Sequence, residues 1–375
     1  MGDGPSLRKE LLGAERRLLE LSPHGRLRVG VGYPNTYHVA HSSLAFQWVL
    51  RLTREVPGAG VERFVTDPGL AGRTLELGTP LGEFDILAFS ISFELDAVNV
   101  IRTLEAAGIP VRREERGAGF PLVVLGGAVA SINPLPLAPV ADVFCLGAAE
   151  RVWRPLLELA LDEPDRERLL ARLASMEGYF VPEHHLDAAG RPLHRLRRLE
   201  KRRHEMEEAG LVPVSQLISP NTEYRDRGLV EMSRGCPEKC RYCWVSHNYG
   251  RLRAYPAEHI LARVEELAAV TRRIGFVATA VGDHPELARI LETCRSMGLD
   301  VALSSLRIPA MREEILRPLA ASGARSITIA PETGSDELRR RLGKPTGNAE
   351  ILAAVEAAQR SGIESLKMYF IAGLP

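Results

Sequence analysis

At 375 residues the chain is long enough for two domains, each with its own core. Hydrophobic residues make up 45% and charged residues 26%, ordinary values for a globular protein, and the zero formal net charge gives no whole-chain argument for a nucleic-acid or membrane partner. No apolar run is long enough to span a bilayer, and five cysteines without a secretory leader argue against a disulfide framework and for a reducing cytoplasm.

Residues 1–26 read as an N-terminal helical segment, amphipathic over 1–21, with Leu7, Leu11, Leu12, Leu18 and Leu19 interleaved with Arg and Glu. A first strand is expected at 27–33 and a helix over 42–55, where Leu44, Trp48 and Leu52 recur at helical spacing. Strand candidates follow at 61–65 and at 84–90, the latter an apolar run suited to a central parallel strand. A helix over 94–107 closes on Gly108. Two more strands, at 122–127 and 142–147, end in Gly126 and Gly127 and in Gly147, and a helix runs from 150 to about 160. Strand and helix alternating in this way indicate an α/β class and a doubly wound, Rossmann-like domain over 27–160. Ligands of such sheets bind beyond the carboxyl ends of the strands, where Ser90, Ser92, Gly126, Gly127 and Gly147 stand. Any one of these glycines alone is better explained by turn making.

Between 161 and 227 the pattern weakens, and this region reads as a linker. It holds a helix over 162–176, a short extended piece at 178–182 and a basic run: Arg191, Arg195, Arg197, Arg198, Lys201, Arg202 and Arg203. Such a run has the charge to meet RNA phosphates, but is more often a solvated helix face or an interdomain surface.

From 228 to 375 strand and helix repeat regularly. Strands are expected at 229–232, 275–281, 300–304, 326–330 and 365–371, with helices over 256–273, 285–297, 311–321, 335–341 and 349–360. Ile260, Val264, Leu267 and Val270 form one face of the first of these helices. The periodicity is that of a β/α barrel, whose chemistry lies at the carboxyl ends of its strands. On the loop leaving the first strand, Cys236, Cys240 and Cys243 are spaced C-x3-C-x2-C. Three thiolates can wrap one metal centre but leave a four-coordinate site one ligand short. An iron–sulfur cluster with one open iron fits that count. So does a structural Cys3His zinc site completed by His247 in an interaction protein without catalysis.

The cysteine spacing, with the aromatic Tyr242 before the third cysteine, resembles the signature of radical S-adenosylmethionine (SAM) enzymes. That resemblance implies a [4Fe–4S] cluster on Cys236, Cys240 and Cys243, whose open iron chelates the amino and carboxylate groups of SAM. An electron from the cluster, supplied by an external one-electron reductant, then cleaves SAM to methionine and a 5′-deoxyadenosyl radical. The barrel implied is a (β/α)6 barrel, here partial because the chain stops at Pro375 before a sixth unit, leaving an open flank. The other strand ends follow the family order. Gly282 and Asp283 occupy the position of a Gly-Gly-Glu that engages the SAM amino group. Ser304 and Arg307 offer a hydroxyl and a cation to the ribose and carboxylate, and Glu332 an acceptor for the ribose hydroxyls, with Tyr242 by the adenine. Cys145 and Cys294 read as buried thiols.

The N-terminal constellation of Gly126, Gly127 and Gly147 with Asn133 and Pro134 resembles the cobalamin-binding domain that precedes the barrel in one branch of these enzymes. The resemblance adds cobalamin as a second candidate cofactor, with Ser90, Ser92, Gly126, Gly127 and Gly147 as its contacts and methyl transfer as the outcome. One departure stands out. Domains that supply a lower axial histidine carry Asp-x-His-x-x-Gly after the first strand, and the loop here does not fit it. His38 and His41 are therefore poor ligand candidates and read as polar loop residues, so that cobalamin binds without a protein histidine or the domain is a relic. A methylthiotransferase-like modifier of RNA or protein is the enzymatic alternative. It calls for further N-terminal cysteines, and Cys145 is the single one available.

Overall fold

A computed structural model describes residues 4–193, 206 and 208–374. The chain divides into two compact units, Met1–His204 with Gln216–Arg225, and Glu205–Ser215 with Asp226–Pro375.

The first unit is built on a six-stranded sheet. Its strands are β1 (Leu27–Gly32), β2 (Ala59–Phe64), β3 (Ile86–Ser90), β4 (Leu122–Gly126), β5 (Val143–Cys145) and β6 (Tyr179–Phe180), in the order β2-β1-β3-β4-β5-β6. All pairs are parallel except β5 with β6. The alternation within β3 sets the two faces. On one side Leu87 and Phe89 join Val100 and Leu104 of α2 (Ala97–Ala106) in a buried apolar cluster. On the other side α1 (Leu44–Arg54) packs with α3 (Ala149–Asp162), and their tryptophans each find a polar partner. Trp153 Nε1 donates to Thr53 Oγ1 at 2.8 Å and Trp48 Nε1 to Glu150 Oε1 at 2.9 Å. Helices on both faces make the sheet doubly wound, as its pattern predicts.

Three local expectations are corrected. The helix expected over 42–55 is α1, which starts at Leu44 because Ser43 turns the chain and its side chain accepts from Phe46 N, and an unexpected short helix, Tyr37–Ser42, precedes it. The helix expected over 162–176 shrinks to α4 (Arg166–Ala174), which Asp165 caps through Arg168 N at 2.9 Å. The extended piece at 178–182, read as linker, supplies β6 and so belongs to the sheet. Of the basic run, Arg191 pairs with Asp187 at 2.9 Å, while Arg195, Arg197, Arg198, Lys201, Arg202 and Arg203 lie outside the described residues.

The N-terminal segment departs furthest. Of the helical segment expected over 1–26, the described helix is Gly4–Gly13, and Arg16–Arg17 then pairs antiparallel with Leu217–Ile218. What pulls the chain out of the helix is a buried charge cluster. Arg63, fully buried on β2, grips Glu15 with two guanidinium bonds, Nη1 to Oε1 at 2.7 Å and Nη2 to Oε2 at 3.0 Å. Its Nε reaches Glu76 at 2.7 Å, and the Tyr37 hydroxyl donates to Glu15 at 2.8 Å. His41 is no surface loop residue: it is buried, and its Nε2 accepts from Arg63 Nη1 at 2.8 Å while its other ring nitrogen donates to Tyr37 O at 3.1 Å. Burial and the neighbouring cation push the His41 imidazole down to about 3, so it stays neutral. Burial alone would raise the Glu15 carboxyl, but Arg63 holds it at about 2.

The second unit carries the β/α repeat. Strands β7 (Gly228–Arg234), β8 (Arg273–Ala278) and β9 (Asp300–Leu303) run parallel in one sheet, and β10 (Ser326–Glu332) and β11 (Ser365–Phe370) form a separate parallel pair. A backbone bond from Leu306 N to Thr328 O, 2.9 Å, links the loop after β9 to β10. Helices α5 (Ala257–Ala268), α6 (Leu287–Ser296), α7 (Glu313–Ala321), α8 (Asp336–Arg341) and α9 (Asn348–Arg360) fill the intervals. Ile260, Val264 and Leu267 form the buried stripe of α5, whereas Val270 lies beyond its end. Five parallel strands with intervening helices are the expected partial barrel, and the last, β11, is largely exposed.

Candidate metal and cofactor site

The cysteine loop begins where β7 ends. Gly235 turns the chain with φ +85°, and a Cβ there would collide with the Arg251 carbonyl, so the turn requires glycine. Cys236 N donates to Gly250 O at 3.2 Å and Cys243 N to Cys240 O at 3.1 Å, which folds the loop back on itself. The Thr279 hydroxyl, just past β8, donates to Gly235 O and ties the turn to the neighbouring strand. Cys236, Cys240 and Cys243 are free thiols of intermediate burial. Burial pushes the Cys236 and Cys240 thiols up, with Arg307 opposing it at Cys236 and Lys344 at Cys240. Among the described residues no three His, Cys, Asp or Glu side chains are gathered around one metal-sized point, and that holds with His247 included. The donor set, three unbonded thiols on one loop, fits a cluster that keeps one iron open.

The other strand ends gather around this loop in two groups. Gly282 and Asp283 lie in a tight turn after β8, where a Cβ on Gly282 would collide with Ala310. Asp283 Oδ1 accepts from Arg307 Nη1 at 2.5 Å, and Arg307 Nη2 donates to Glu238 inside the cysteine loop. One guanidinium therefore spans the ends of β8 and β9 and the loop itself. Asp283 Oδ2 is buried and has no hydrogen-bond partner among the described residues. A buried carboxylate oxygen without a donor is costly unless a ligand supplies one, and an ammonium group would.

The second group centres on Glu332, the last residue of β10, which holds a left-handed backbone at φ +65°. For a non-glycine residue this costs about 1–3 kcal/mol and persists where the surroundings fix it. Two donors do so on one oxygen: Tyr242 Oη and Lys344 Nζ each reach Glu332 Oε1 at 2.6 Å. Burial, and then the Glu332 carboxylate, push the Tyr242 hydroxyl well above its usual range, so it remains a donor. Ser304 joins neither group. It is exposed, and its hydroxyl donates back to Ala278 O at 3.2 Å. Ser335 caps α8, accepting from Leu338 N at 3.2 Å, whereas Asp283 caps no helix.

Sequence reasoning missed Glu238, Thr279 and Lys344. Glu238 and Thr279 carried no motif. Lys344 had a faint signal, a Gly-Lys-Pro step after α8 that reads as a plain helix exit.

In the first unit, Ser90 pairs in register with Gly126, and Ser92, Gly127 and Gly147 follow the same carboxyl edge of β3, β4 and β5. Exposed Phe93, Leu95 and Val98 after β3, and Ile132 and Leu135 after β4, make this edge apolar. The order β2-β1-β3 puts a topological switch point beside it. His38 is exposed on the surface and bonded to Glu223 and to Asn221 O, both at 3.2 Å, so both histidines of the loop after β1 are engaged elsewhere. Cys145 and Cys294 are buried, with thiols pushed up to about 12.

Comparison with known proteins agrees with both halves. Residues 56–182 match the family of radical SAM proteins, N-terminal, and residues 230–375 match the radical SAM superfamily. An uncharacterised protein of Methanocaldococcus jannaschii is 26% identical over 294 residues, covering 78% of this chain and 59% of that one. The cobalamin-dependent SAM radical enzyme OxsB superposes with a TM-score of 0.64 at 16% identity, over 92% of this chain and 49% of that chain. The radical SAM methyltransferase TsrM from Kitasatospora setae superposes with a TM-score of 0.61 at 16% identity, over 92% of this chain and 66% of that chain. At such identities the structural likeness is one of fold, and the chain spans about half to two thirds of the length of these relatives. The two family matches together cover most of the chain, and the cysteine loop lies inside the second: the chain belongs to the radical SAM superfamily.

Proposed function

We propose that this protein is a radical SAM enzyme that uses cobalamin to transfer a methyl group. The observation that carries the first part is the convergence of the cysteine loop, Asp283, Arg307 and Glu332 at neighbouring strand ends. When bound, the cluster and SAM supply a one-electron cleavage that yields a 5′-deoxyadenosyl radical. The protein's own part is to bind and orient. Cys236, Cys240 and Cys243 hold the cluster, Asp283 Oδ2 accepts from the SAM ammonium, Arg307 faces its carboxylate, and Glu332 accepts from ribose hydroxyls. Cobalamin is supported by the apolar carboxyl edge of the first sheet and by the fold shared with OxsB and TsrM. It would be held without a protein histidine, since His38 and His41 have other partners. A methylthiotransferase reading needs a second cluster in the first unit, and Cys145 there is buried with its thiol protonated. The electron comes from an external one-electron reductant, and a cytoplasmic setting suits an oxygen-sensitive cluster.

The test is anaerobic reconstitution with iron, sulfide and hydroxocobalamin, followed by desalting, an absorption spectrum and metal analysis. The expected result is about four irons per chain with retained cobalt, and 5′-deoxyadenosine on reduction with SAM. Iron without cobalt would remove the cobalamin part. Stoichiometric zinc with no cluster would overturn the catalytic reading.

A further inference from the structure

Lys344 lies outside every motif that pointed to the site, yet the segment it sits on touches two of the site's parts. It sits on a short segment after α8 that runs along the cysteine loop. Leu342 O accepts from Arg241 N at 2.9 Å, between Cys240 and Tyr242. Gly343, at φ +75°, lies so close that a Cβ there would be 2.9 Å from Lys239 O and 3.6 Å from Cys240 Cα. From this position the Lys344 ammonium donates to Ala330 O at 2.5 Å and to Glu332 Oε1 at 2.6 Å.

The segment is itself held. Arg339, fully buried, donates from Nε to Thr346 O and from Nη2 to Asn348 Oδ1, both at 2.5 Å, and from Nη1 to Thr333 O. Both ends of the connection from β10 to α9 are thus fixed around one guanidinium. The Lys344 and Glu332 side chains are 15% and 10% exposed, so solvent screens this charge weakly.

We propose that Lys344 is a positioning residue: it fastens the cysteine loop to the end of β10 and keeps a positive charge beside Cys240, and so raises the reduction potential of the cluster on Cys236, Cys240 and Cys243. The proposal rests on the cluster reading given above. Each added electron makes a cluster more negative, and a fixed cation nearby favours the reduced state. Without the ammonium, the Glu332 carboxylate loses its counter-charge and acts in the opposite direction. The cysteine loop would then face an uncompensated anion.

The test compares wild type, Lys344→Met and Lys344→Arg, each reconstituted anaerobically without SAM. Iron and sulfide content are measured first, and the midpoint potential is then taken from a redox titration followed by electron paramagnetic resonance. Lys344→Met is expected to titrate at a more negative potential than wild type, and Lys344→Arg close to it. A full cluster in Lys344→Met at the wild-type potential overturns the proposal, as does an equal shift in both variants, which would point to packing and not to charge. If Lys344→Met assembles no cluster, Lys344→Arg decides: assembly at the wild-type potential supports the proposal, and failure of both variants overturns the role of charge. Failure of the wild-type protein to take up iron is a separate result that overturns the cluster reading itself.

Discussion

Asp283 shows how one side chain separates a structural part from a ligand-binding part. Its Oδ1 serves the protein through Arg307, and its Oδ2 is buried with no partner among the described residues. Replacing Asp283 with Asn keeps the size but removes the charge. The expected effect is SAM binding weaker by about tenfold, ~1.4 kcal/mol, in equilibrium dialysis with the reconstituted protein, with iron content unchanged. Unaltered affinity would contradict the assignment. Ser304→Ala is the contrasting variant: the residue is exposed and its hydroxyl donates to Ala278 O, so the change is expected to alter SAM affinity by no more than about twofold. The sequence marked Asp283, Arg307 and Glu332 because each stands within three residues of the end of a predicted strand, at a position that resembles a family contact. It could not mark Glu238 or Lys344, because their roles come from partners 69 and 12 residues away in the chain.

At the scale of elements, glycines and apolar runs made most of the fold readable. The strands were expected within a few residues of where they lie, since alternating burial and glycine exits are local signals. Helix ends were read less well, because Ser43 and Asp165 start helices through side-chain bonds that compete with continued helix upstream. Strand β6 was hidden in the linker since a two-residue strand leaves too short a pattern to detect. The turn at Gly235 makes a direct test. Gly235→Ala must place a methyl group against the Arg251 carbonyl in a left-handed backbone. It is expected to destabilise the loop by about 1–3 kcal/mol and to lower iron retention after reconstitution, while the melting of the rest of the chain, followed by circular dichroism, shifts little. Full iron retention would show that the loop can turn another way.

At the scale of the whole first unit, the Arg63 cluster ties the N-terminal segment to the sheet through charge. None of this was legible in the sequence: Glu15 and Arg63 are 48 residues apart, and each looks like an ordinary surface residue. The cluster makes stability depend on pH with a definite sign. His41 is held at about 3 and Glu15 at about 2, below their ordinary values of 6.5 and 4.5, so the unfolded chain binds these protons first. The stabilisation is complete above pH 6.5. It falls as His41 protonates in the unfolded chain, and further below pH 4.5 as Glu15 does. The melting temperature is expected to drop steadily from pH 7 to pH 4, and Arg63→Met to cost about 3–5 kcal/mol at pH 7 by stranding the buried carboxylates. A melting temperature that is flat over that range would contradict the cluster's role.

The second unit has a seam between its two sheets beside its chemistry. Strands β7, β8 and β9 form one ladder and β10 with β11 another, and the Leu306–Thr328 bond crosses between them. Arg307 stands on one bank of that seam and Glu332 on the other. A molecule long enough to touch both would stitch the two ladders together, adding rungs that the backbone leaves out. Part of its binding energy would then go into joining the two halves of the barrel wall.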